Sequence, residues 1–245
     1  MRRIVLLRAS SGSGDPYEKA LQEAGFQAES VPVLRFQFVD AQALRDALAE
    51  SRFEALVLTS PRAAEAIGRV GLPQQWRQRA AWTVGEETAR RARLLGLQPE
   101  GQQAGSAEAL AERIARSMPS GPLLFVCGDR RRDALPTVLN AQGIEVEEVV
   151  AYETHLRPPP LAPGPAPFAV GFFSPSGVEA AQHADAFPWR ARRVAIGPAT
   201  ADALMAAGHP AHAVATAPEP AAFVRAVAAA TAPPSPGAWP PGPGS

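Results

Sequence analysis

Two pairs of short motifs place hydroxyl and glycine residues directly after apolar runs. "LTSPRAAEA" begins at Leu58 and "FFSPSGVEA" at Phe172, and each ends an apolar run with Ser-Pro. "TVGEETARRARLLG" from Thr83 and "AIGPATADALMAAG" from Ala195 form the second pair. Each motif predicts a helix start, where unpaired backbone N–H groups and a partial positive charge bind carboxylate or phosphate. The motifs therefore predict anion binding that needs no lysine.

The same residue types also serve structure, because Ser and Thr cap helices and Gly permits tight turns. Four junctions with the same chemistry favour a binding role for the set, and several separated anion sites indicate a ligand with several acidic groups. The candidate hydroxyl donors are Thr59, Ser60, Thr88, Ser174, Ser176 and Thr200. The glycines that would let backbone approach a ligand are Gly85, Gly128, Gly177 and Gly197.

Other reactive side chains give weaker signals. The four histidines are scattered, and no carboxylate or cysteine lies close to the pair His209 and His212, so surface positions are favoured over a metal site. Cys127, the only cysteine, excludes an intramolecular disulfide and is more typical of packing than of a nucleophile. Lys19 is the only lysine and falls on the polar face of a predicted helix. Tyr152 ends an apolar strand, where it is either a core residue or a proton donor near a cleft.

Charge and length restrict the classes of protein that fit. The 245 residues carry no net charge, so no global field recruits nucleic acid or an anionic membrane. The apolar run near the start is too short for a signal peptide or a membrane span, and we expect a cytoplasmic protein. Asp129 with Arg130 to Arg132 forms either a solvent-facing loop or an acid-binding loop.

Short apolar runs alternate with helical patterns along the chain, which predicts α/β structure with parallel sheets flanked by helices. Three segments recur at nearly constant spacing, which indicates an internal duplication and two similar α/β lobes. The spacings are 118 residues from Asp15 to Asp133, 114 from Ser60 to Ser174 and 112 from Gly85 to Gly197.

Taken in order, the motifs resemble the uroporphyrinogen-III synthase family, in particular its animal form, over about residues 1–230. The stretches that carry the resemblance are "TSPRAAEA", "VGEETA", "LLFVCGDRRRDALPTVLNAQGIEVEEVVAYET", "FFSPSG" and "AIGPATADAL". The resemblance implies a dehydrating cyclisation of hydroxymethylbilane, a linear tetrapyrrole polycarboxylate, with inversion of the last ring. It implies no metal or organic cofactor, and a monomer to which the preceding enzyme of the pathway hands the bilane.

The family's topology implies interleaved lobes rather than tandem ones. Residues 1–35 with 158–230 would form one discontinuous lobe and 40–150 the other, with a cleft between lobes that can hinge. Two antiparallel linker strands would lie at 36–39 and 151–157. Composition predicts disorder for the Pro/Gly-rich tail at 231–245.

The resemblance also implies site roles. It adds Arg62 and Arg132 to the binding candidates and makes Tyr152 the residue that assists loss of the substrate hydroxyl. Glu86 and Glu87 depart from what a polyanion site needs, and we expect both to point to solvent. Two rivals remain at this stage: a two-lobed nucleotide-sugar transferase and a non-enzymatic hinged module that binds a small polyacid.

Overall fold

The computed structural model describes residues 1–12, 14–130, 134–160 and 165–231. The chain divides into two compact units. The first unit comprises Met1–Arg35 and the described residues from Leu156 onward, and the second unit is Phe36–His155. Each unit holds a sheet of mainly parallel strands flanked by helices, so the predicted α/β class is confirmed. The lobe boundaries and linker strands that the resemblance implies stay predictions, and the predicted disorder of the tail falls on residues that lie almost wholly outside the described ranges.

Strands and helices alternate along most of the chain. The strands are β1 Arg2–Leu7, β2 Phe26–Val31, β3 Leu34–Phe38, β4 Ala55–Leu58, β5 Ala80–Thr83, β6 Gln98–Glu100, β7 Leu123–Gly128, β8 Val146–Leu156, β9 Ala169–Phe172, β10 Arg192–Ala195 and β11 Ala213–Val214. The helices are α1 Pro16–Glu23, α2 Ala41–Ala49, α3 Pro61–Val70, α4 Glu86–Leu94, α5 Ala107–Ser117, α6 Ala134–Ala141, α7 Pro175–Gln182, α8 Pro198–Ala206 and α9 Pro220–Thr231.

The sheet of the first unit has the strand order β11-β10-β9-β1-β2, and every neighbouring pair is parallel. Side chains of β1 alternate between its two faces. Val5 and Leu7 belong to one apolar cluster, while Ile4 and Leu6 pack in another with Phe223 of α9. Burial on both faces explains why this strand is apolar at successive positions.

The sheet of the second unit has the order β3-β8-β7-β4-β5-β6. The pairs from β8 through β6 are parallel. Beside them, the Val39 N–H donates to the Ala151 carbonyl and the Arg157 N–H to the Val33 carbonyl. The partner number falls as the first number rises, so β3 runs antiparallel to β8.

Each sheet has one point where the direction of the crossover connections reverses. In the second unit, the chain moves from β4 to β5 on one side and from β7 to β8 on the other. In the first unit, β1 leads to β2 on one side and β9 leads to β10 on the other. Ligands of open α/β sheets bind at the carboxyl ends of the strands at such a point. We call the carboxyl ends of β1 and β9 the first switch edge, and those of β4 and β7 the second switch edge.

Three short elements were not predicted from the sequence. The strands β6 and β11 are too short for a periodic pattern to reveal them. A 3-10 helix at Gln74–Gln78 buries Trp76 completely, and its indole N–H donates to the Leu48 carbonyl over 2.7 Å. No helix among the described residues combines the length and the apolar character that crossing a bilayer requires.

Candidate active site

A cavity of about 350 Å³ lies at the second switch edge. Its walls are rich in hydroxyl groups and glycine, and they include one phenol and one charge of each sign. The lining residues are Thr59, Ser60, Val84, Gly105, Ser106, Ala107, Glu108, Phe125, Gly128, Arg130, Tyr152 and Thr154. The structure thus brings together four residues predicted from the sequence: Thr59, Ser60, Gly128 and Tyr152.

Two helices begin at the wall of this cavity. The Ser60 hydroxyl accepts a hydrogen bond from the Arg62 N–H over 3.2 Å and caps α3. The Ser106 hydroxyl accepts from the Ala109 N–H over 3.2 Å and caps α5. Both serines therefore have a structural role, and the partial positive charge of both helix starts lies beside the cavity.

A β-bulge sets the position of Tyr152. The register between β7 and β8 pairs Cys127 with Val150 but Gly128 with Tyr152, so Ala151 is an extra residue on β8. As a result, Ala151 and Tyr152 are both buried although they are consecutive in a strand. Bulges re-aim side chains and are common next to active sites.

The Tyr152 ring packs directly against Gly128. A Cβ atom at Gly128 would lie 2.4 Å from Cε2, 2.6 Å from Cζ and 2.9 Å from the hydroxyl oxygen of Tyr152. The sequence suggested that glycine here lets a ligand approach the backbone, whereas the structure places a side chain of the same protein against it. On the other sides, Phe36 and Phe38 lie 6.4 and 6.5 Å from the Tyr152 ring, centroid to centroid.

The surroundings of Tyr152 keep its phenol protonated. Burial, the largest effect, raises the pKa of Tyr152 above the usual tyrosine value. A hydrogen bond with the Ser60 side chain and the positive charge of Arg62 oppose this rise, and the negative charge of Asp129 adds to it. The phenol therefore carries its proton at neutral pH, as an ordinary tyrosine does, and is available as a proton donor, although the upward shift by itself makes it a weaker acid.

Arg62 lies close to this phenol and interacts electrostatically with it and with Glu65. Its guanidinium carbon is 3.2 Å from the centroid of the Phe36 ring, and Phe36 packs against Tyr152 nearly edge-on. Among the described residues Arg62 forms no ion pair. Burial lowers the pKa of Arg62, but an arginine stays charged at any physiological pH. A partly buried cation without an ion-pair partner among the described residues is suited to binding an anion.

Thr88 and Thr200 occupy equivalent places in the two units. Each is the third residue after a glycine, Gly85 or Gly197, that starts a helix without a side-chain cap. Thr88 is 2% exposed and Thr200 is 3% exposed. Neither hydroxyl has a hydrogen-bond partner within the described part of the chain. Neither hydroxyl is among the described side-chain atoms that are fully buried without a partner. The place of both threonines at helix starts is therefore what makes them candidates for ligand binding.

The remaining candidates in the first unit lie at the starts of α7 and α8. The Ser174 hydroxyl accepts from the Gly177 N–H over 3.2 Å and caps that helix. A Cβ at Gly177 would lie 3.6 Å from Leu7, which is ordinary contact. Ser176 is the second residue of the helix. At Gly197 the backbone is extended and an added Cβ would meet no atom within 4 Å, so packing does not explain that glycine.

The two acidic residues that depart from the motif are exposed and paired with arginines. Glu86 pairs with Arg93 over 2.7 Å, and Glu87 pairs with Arg90 over 2.7 Å and with Arg91 over 3.0 Å. Hydrogen bonds from Arg90 and Arg91 lower the pKa of Glu87 to about 2. These ion pairs offset the negative charge near Thr88. Arg132, another candidate, lies outside the described residues.

Several residues of the cavity were missed as site candidates. Ser106 and Glu108 line the cavity at the start of α5, and the glycine before Ser106 fits the pattern of the other junctions. Thr154 gave no signal, because it follows Tyr152 within a strand. Its N–H donates to the Asp129 carboxylate over 2.8 Å, which anchors the loop that carries Arg130. Within the described ranges, no group of three or more His, Cys, Asp or Glu could hold a metal ion.

The fold and the site define an α/β protein of two units whose hydroxyl-rich helix starts suit a ligand with several acidic groups. The family model described as "Uroporphyrinogen-III synthase HemD" matches residues 15–225, and the chain belongs to that family. The resemblance and the enzyme class inferred from the motifs are therefore confirmed at the level of the family.

Curated relatives agree with this assignment. The chain is 26% identical to the uroporphyrinogen-III synthase of Schizosaccharomyces pombe, over 94% of this chain and 97% of that protein. It is 29% identical to the Saccharomyces cerevisiae enzyme over 62% of each chain.

Solved structures support the fold. The uroporphyrinogen-III synthetase of Helicobacter pylori matches with a TM-score of 0.68 at 20% identity, covering 93% of this chain and 99% of that one. A mutant uroporphyrinogen III synthase of Thermus thermophilus matches with a TM-score of 0.55 at 19% identity, covering 94% and 98%.

Proposed function

We propose that the protein converts hydroxymethylbilane into uroporphyrinogen III, with loss of water and inversion of ring D. Family membership supports the reaction, and one observation of the site carries its mechanism. The phenol of Tyr152 lines the cavity and carries its proton at neutral pH.

In this mechanism Tyr152 is the general acid. Its proton passes to the terminal hydroxyl of the bilane, the C–O bond breaks, and water leaves. The pyrrole that carried the hydroxyl becomes a cation, and Tyr152 becomes a phenolate that the Arg62 charge and the Ser60 hydroxyl stabilise. The α-carbon of ring D that already carries the ring C methylene attacks the cation to form a spiro intermediate. The bond between that carbon and the ring C methylene then breaks, and the released cation on ring C is attacked by the free α-carbon of ring D, which inverts the ring. The proton that is lost when the macrocycle finally closes returns to the phenolate, so one water is lost overall.

The acetate and propionate groups of the bilane bind at the helix starts of both units. In the second unit the Thr88 hydroxyl and the N–H groups at the start of α4 serve this role. In the first unit Ser174, Gly197 and Thr200 serve it. The support is that both threonines lie at helix starts without a side-chain cap, and that an added Cβ at Gly197 would meet no atom of the described residues within 4 Å. Most of the catalysis then consists of holding the bilane in one folded conformation.

Arg62 binds one of these carboxylates as well. Its guanidinium is held over Phe36 and forms no ion pair with the described residues. A carboxylate bound there would hold that part of the substrate close to the phenol.

We also propose the finer properties that the family likeness suggests. The protein works as a monomer in the cytoplasm and receives the bilane from the preceding enzyme of the pathway. Strand β3 and the end of β8 serve as the linker between the two lobes. A single cysteine, Cys127, suits the reducing compartment that this location implies.

The test is to supply purified protein with freshly made hydroxymethylbilane, oxidise the products and separate the uroporphyrin isomers. Isomer III in excess over the spontaneous isomer I is the expected result. Formation of isomer I alone, at the protein-free rate, would refute the proposed function.

A further inference from the structure

Arg8 is a cation at the first switch edge that none of the repeated motifs includes. It directly follows β1, whose last residue Leu7 pairs with Phe172, the last residue of β9. The guanidinium carbon of Arg8 lies 5.1 Å from the ring centroid of Phe173, the residue just before the Ser174 cap of α7. Arg8 is therefore beside the start of α7, at the edge where the fold favours a ligand.

The second unit has a cation in a similar place. Arg130 follows β7 at the second switch edge and lines the cavity that contains Tyr152. Arg8 follows β1 at the first switch edge. Each of the two switch edges therefore carries an arginine directly after the strand or one residue beyond it.

Asp15 holds Arg8 in place. An Nη1–H of Arg8 donates to Oδ1 of Asp15 over 3.2 Å, and the guanidinium also lies over the ring of Tyr17 at 4.8 Å. The Asp15 side chain is completely buried. Its two oxygens also accept from the N–H and hydroxyl of Ser11 and from the N–H groups of Tyr17 and Glu18. These bonds fix the carboxylate independently of Arg8, so Asp15 is a rigid support for the arginine.

The pair with Asp15 leaves Arg8 able to bind a second anion. One of five N–H donors bonds to Asp15, and the Arg8 side chain keeps 21% of its surface exposed. The planar guanidinium matches a carboxylate through two parallel hydrogen bonds, which a lysine cannot do. An arginine that is pre-positioned by a buried carboxylate and two aromatic rings loses little entropy when it binds.

We propose that Arg8 binds a carboxylate of the bilane at the first switch edge, with Asp15 as its positioning residue. This inference rests on the proposed function and adds a binding group that lies outside the repeated motifs. It assigns the first unit an arginine as well as the helix starts at Ser174 and Gly197.

The test compares Arg8→Gln and Arg8→Lys with the wild-type enzyme in steady-state kinetics on hydroxymethylbilane. Arg8→Gln should raise KM about tenfold and change kcat less than twofold, since a charge-assisted hydrogen bond to substrate is lost while the phenol is untouched. Arg8→Lys should fall between the two, because it keeps the charge and loses the paired bonds. The rise in KM should shrink at high salt, as expected for a lost ion pair that remains partly exposed.

Arg3→Gln is the matched control. Arg3 lies in β1, at the end away from Arg8, and also pairs with a carboxylate, Glu29, over 2.7 Å. A general effect of removing an arginine pair from β1 would appear in both variants. Arg3→Gln should therefore keep the wild-type KM, and melting curves of the two variants should show whether either has lost stability.

The outcomes separate the two proposals. Wild-type activity together with an unchanged KM in Arg8→Gln, or an equal rise in Arg3→Gln, would refute the role of Arg8 and leave the proposed function intact. A wild-type protein that forms no excess of isomer III would refute both.

Discussion

Replacing Gly128 by alanine should remove most activity, because the new methyl group displaces the ring of Tyr152. The added Cβ would lie 2.4 Å from Cε2 of Tyr152. Nonbonded carbon atoms approach to about 3.5 Å, so the ring must retreat by about 1 Å. The ring has little room to do so, because Tyr152 is only 8% exposed and packs against Phe36 and Phe38.

Two magnitudes follow from this geometry. Overpacking of a buried site lowers the free energy of unfolding by about 1–3 kcal/mol, which leaves a folded protein. A displacement of about 1 Å of a catalytic group lowers the rate about 100-fold. We therefore expect kcat of Gly128→Ala to fall about 100-fold with a modest loss of stability.

The assay is the initial rate of isomer III formation at saturating hydroxymethylbilane, combined with thermal unfolding. Gly121→Ala is the control, because Gly121 precedes the same strand and its added Cβ would come no closer than 3.4 Å to another atom. It should keep wild-type kcat.

A double mutant identifies the cause. In a Tyr152→Phe background the phenol is already absent, so Gly128→Ala should lower kcat little further. Two results would contradict a role of Gly128 in positioning the phenol. One is wild-type kcat in Gly128→Ala, and the other is a further loss of kcat of about 100-fold when Gly128→Ala is added to Tyr152→Phe.

Three further predictions concern buried polar groups. If the Thr88 and Thr200 hydroxyls bond to substrate as proposed, Thr88→Val and Thr200→Val should each raise KM about tenfold with little change in melting temperature. Thr83→Val, which loses a bond to a backbone carbonyl, should instead lower the melting temperature at unchanged KM. Burial raises the pKa of Asp15, but bonds from Ser11 and Glu18 and the charge of Arg8 outweigh it, so the net shift is downward from 3.8. The stability that Asp15 contributes is thus present above pH 3.8 and lost as pH falls through the lower folded pKa. Urea unfolding at pH 7 and pH 3 should therefore show a smaller difference in unfolding free energy between wild type and Asp15→Asn at the acidic pH. An equal difference at both pH values would contradict a lowered pKa of Asp15. Because the pKa of Tyr152 is raised, kcat should show no loss from phenol ionisation until the pH exceeds about 10, and a decline below pH 9 that is absent in Tyr152→Phe would contradict this assignment.

Much of the fold could be predicted because the signals were local and repeated. Short apolar strands followed by helices with Ser or Gly at their starts define parallel α/β units without reference to distant residues. The caps at Ser60 and Ser174 were predicted from their neighbours alone, and the structure confirms both. Edge elements such as β6 and β11 were missed because two or three residues carry no periodicity.

The site could be predicted where it coincided with these motifs and at the strand ends that carry Gly128 and Tyr152. The position of the Tyr152 side chain depends on the bulge at Ala151 and on the contact with Gly128. Both features arise from the pairing of β7 with β8. No local pattern encodes either feature. Arg8 was missed for a similar reason: its support comes from Asp15, Tyr17 and Phe173, of which the last is distant in the chain. Residues that act through tertiary contacts leave little trace in one sequence.

We expect this protein to close hydroxymethylbilane to isomer III with Tyr152 as the proton donor. The most direct test measures the rate and the isomer ratio of wild type and Tyr152→Phe side by side at saturating substrate. We expect wild type to form isomer III in excess over the protein-free reaction. Tyr152→Phe should form it about 100-fold more slowly at a similar KM, because general acid catalysis contributes about that factor or more. Equal kcat in the two proteins, or isomer I alone from wild type, would contradict the account.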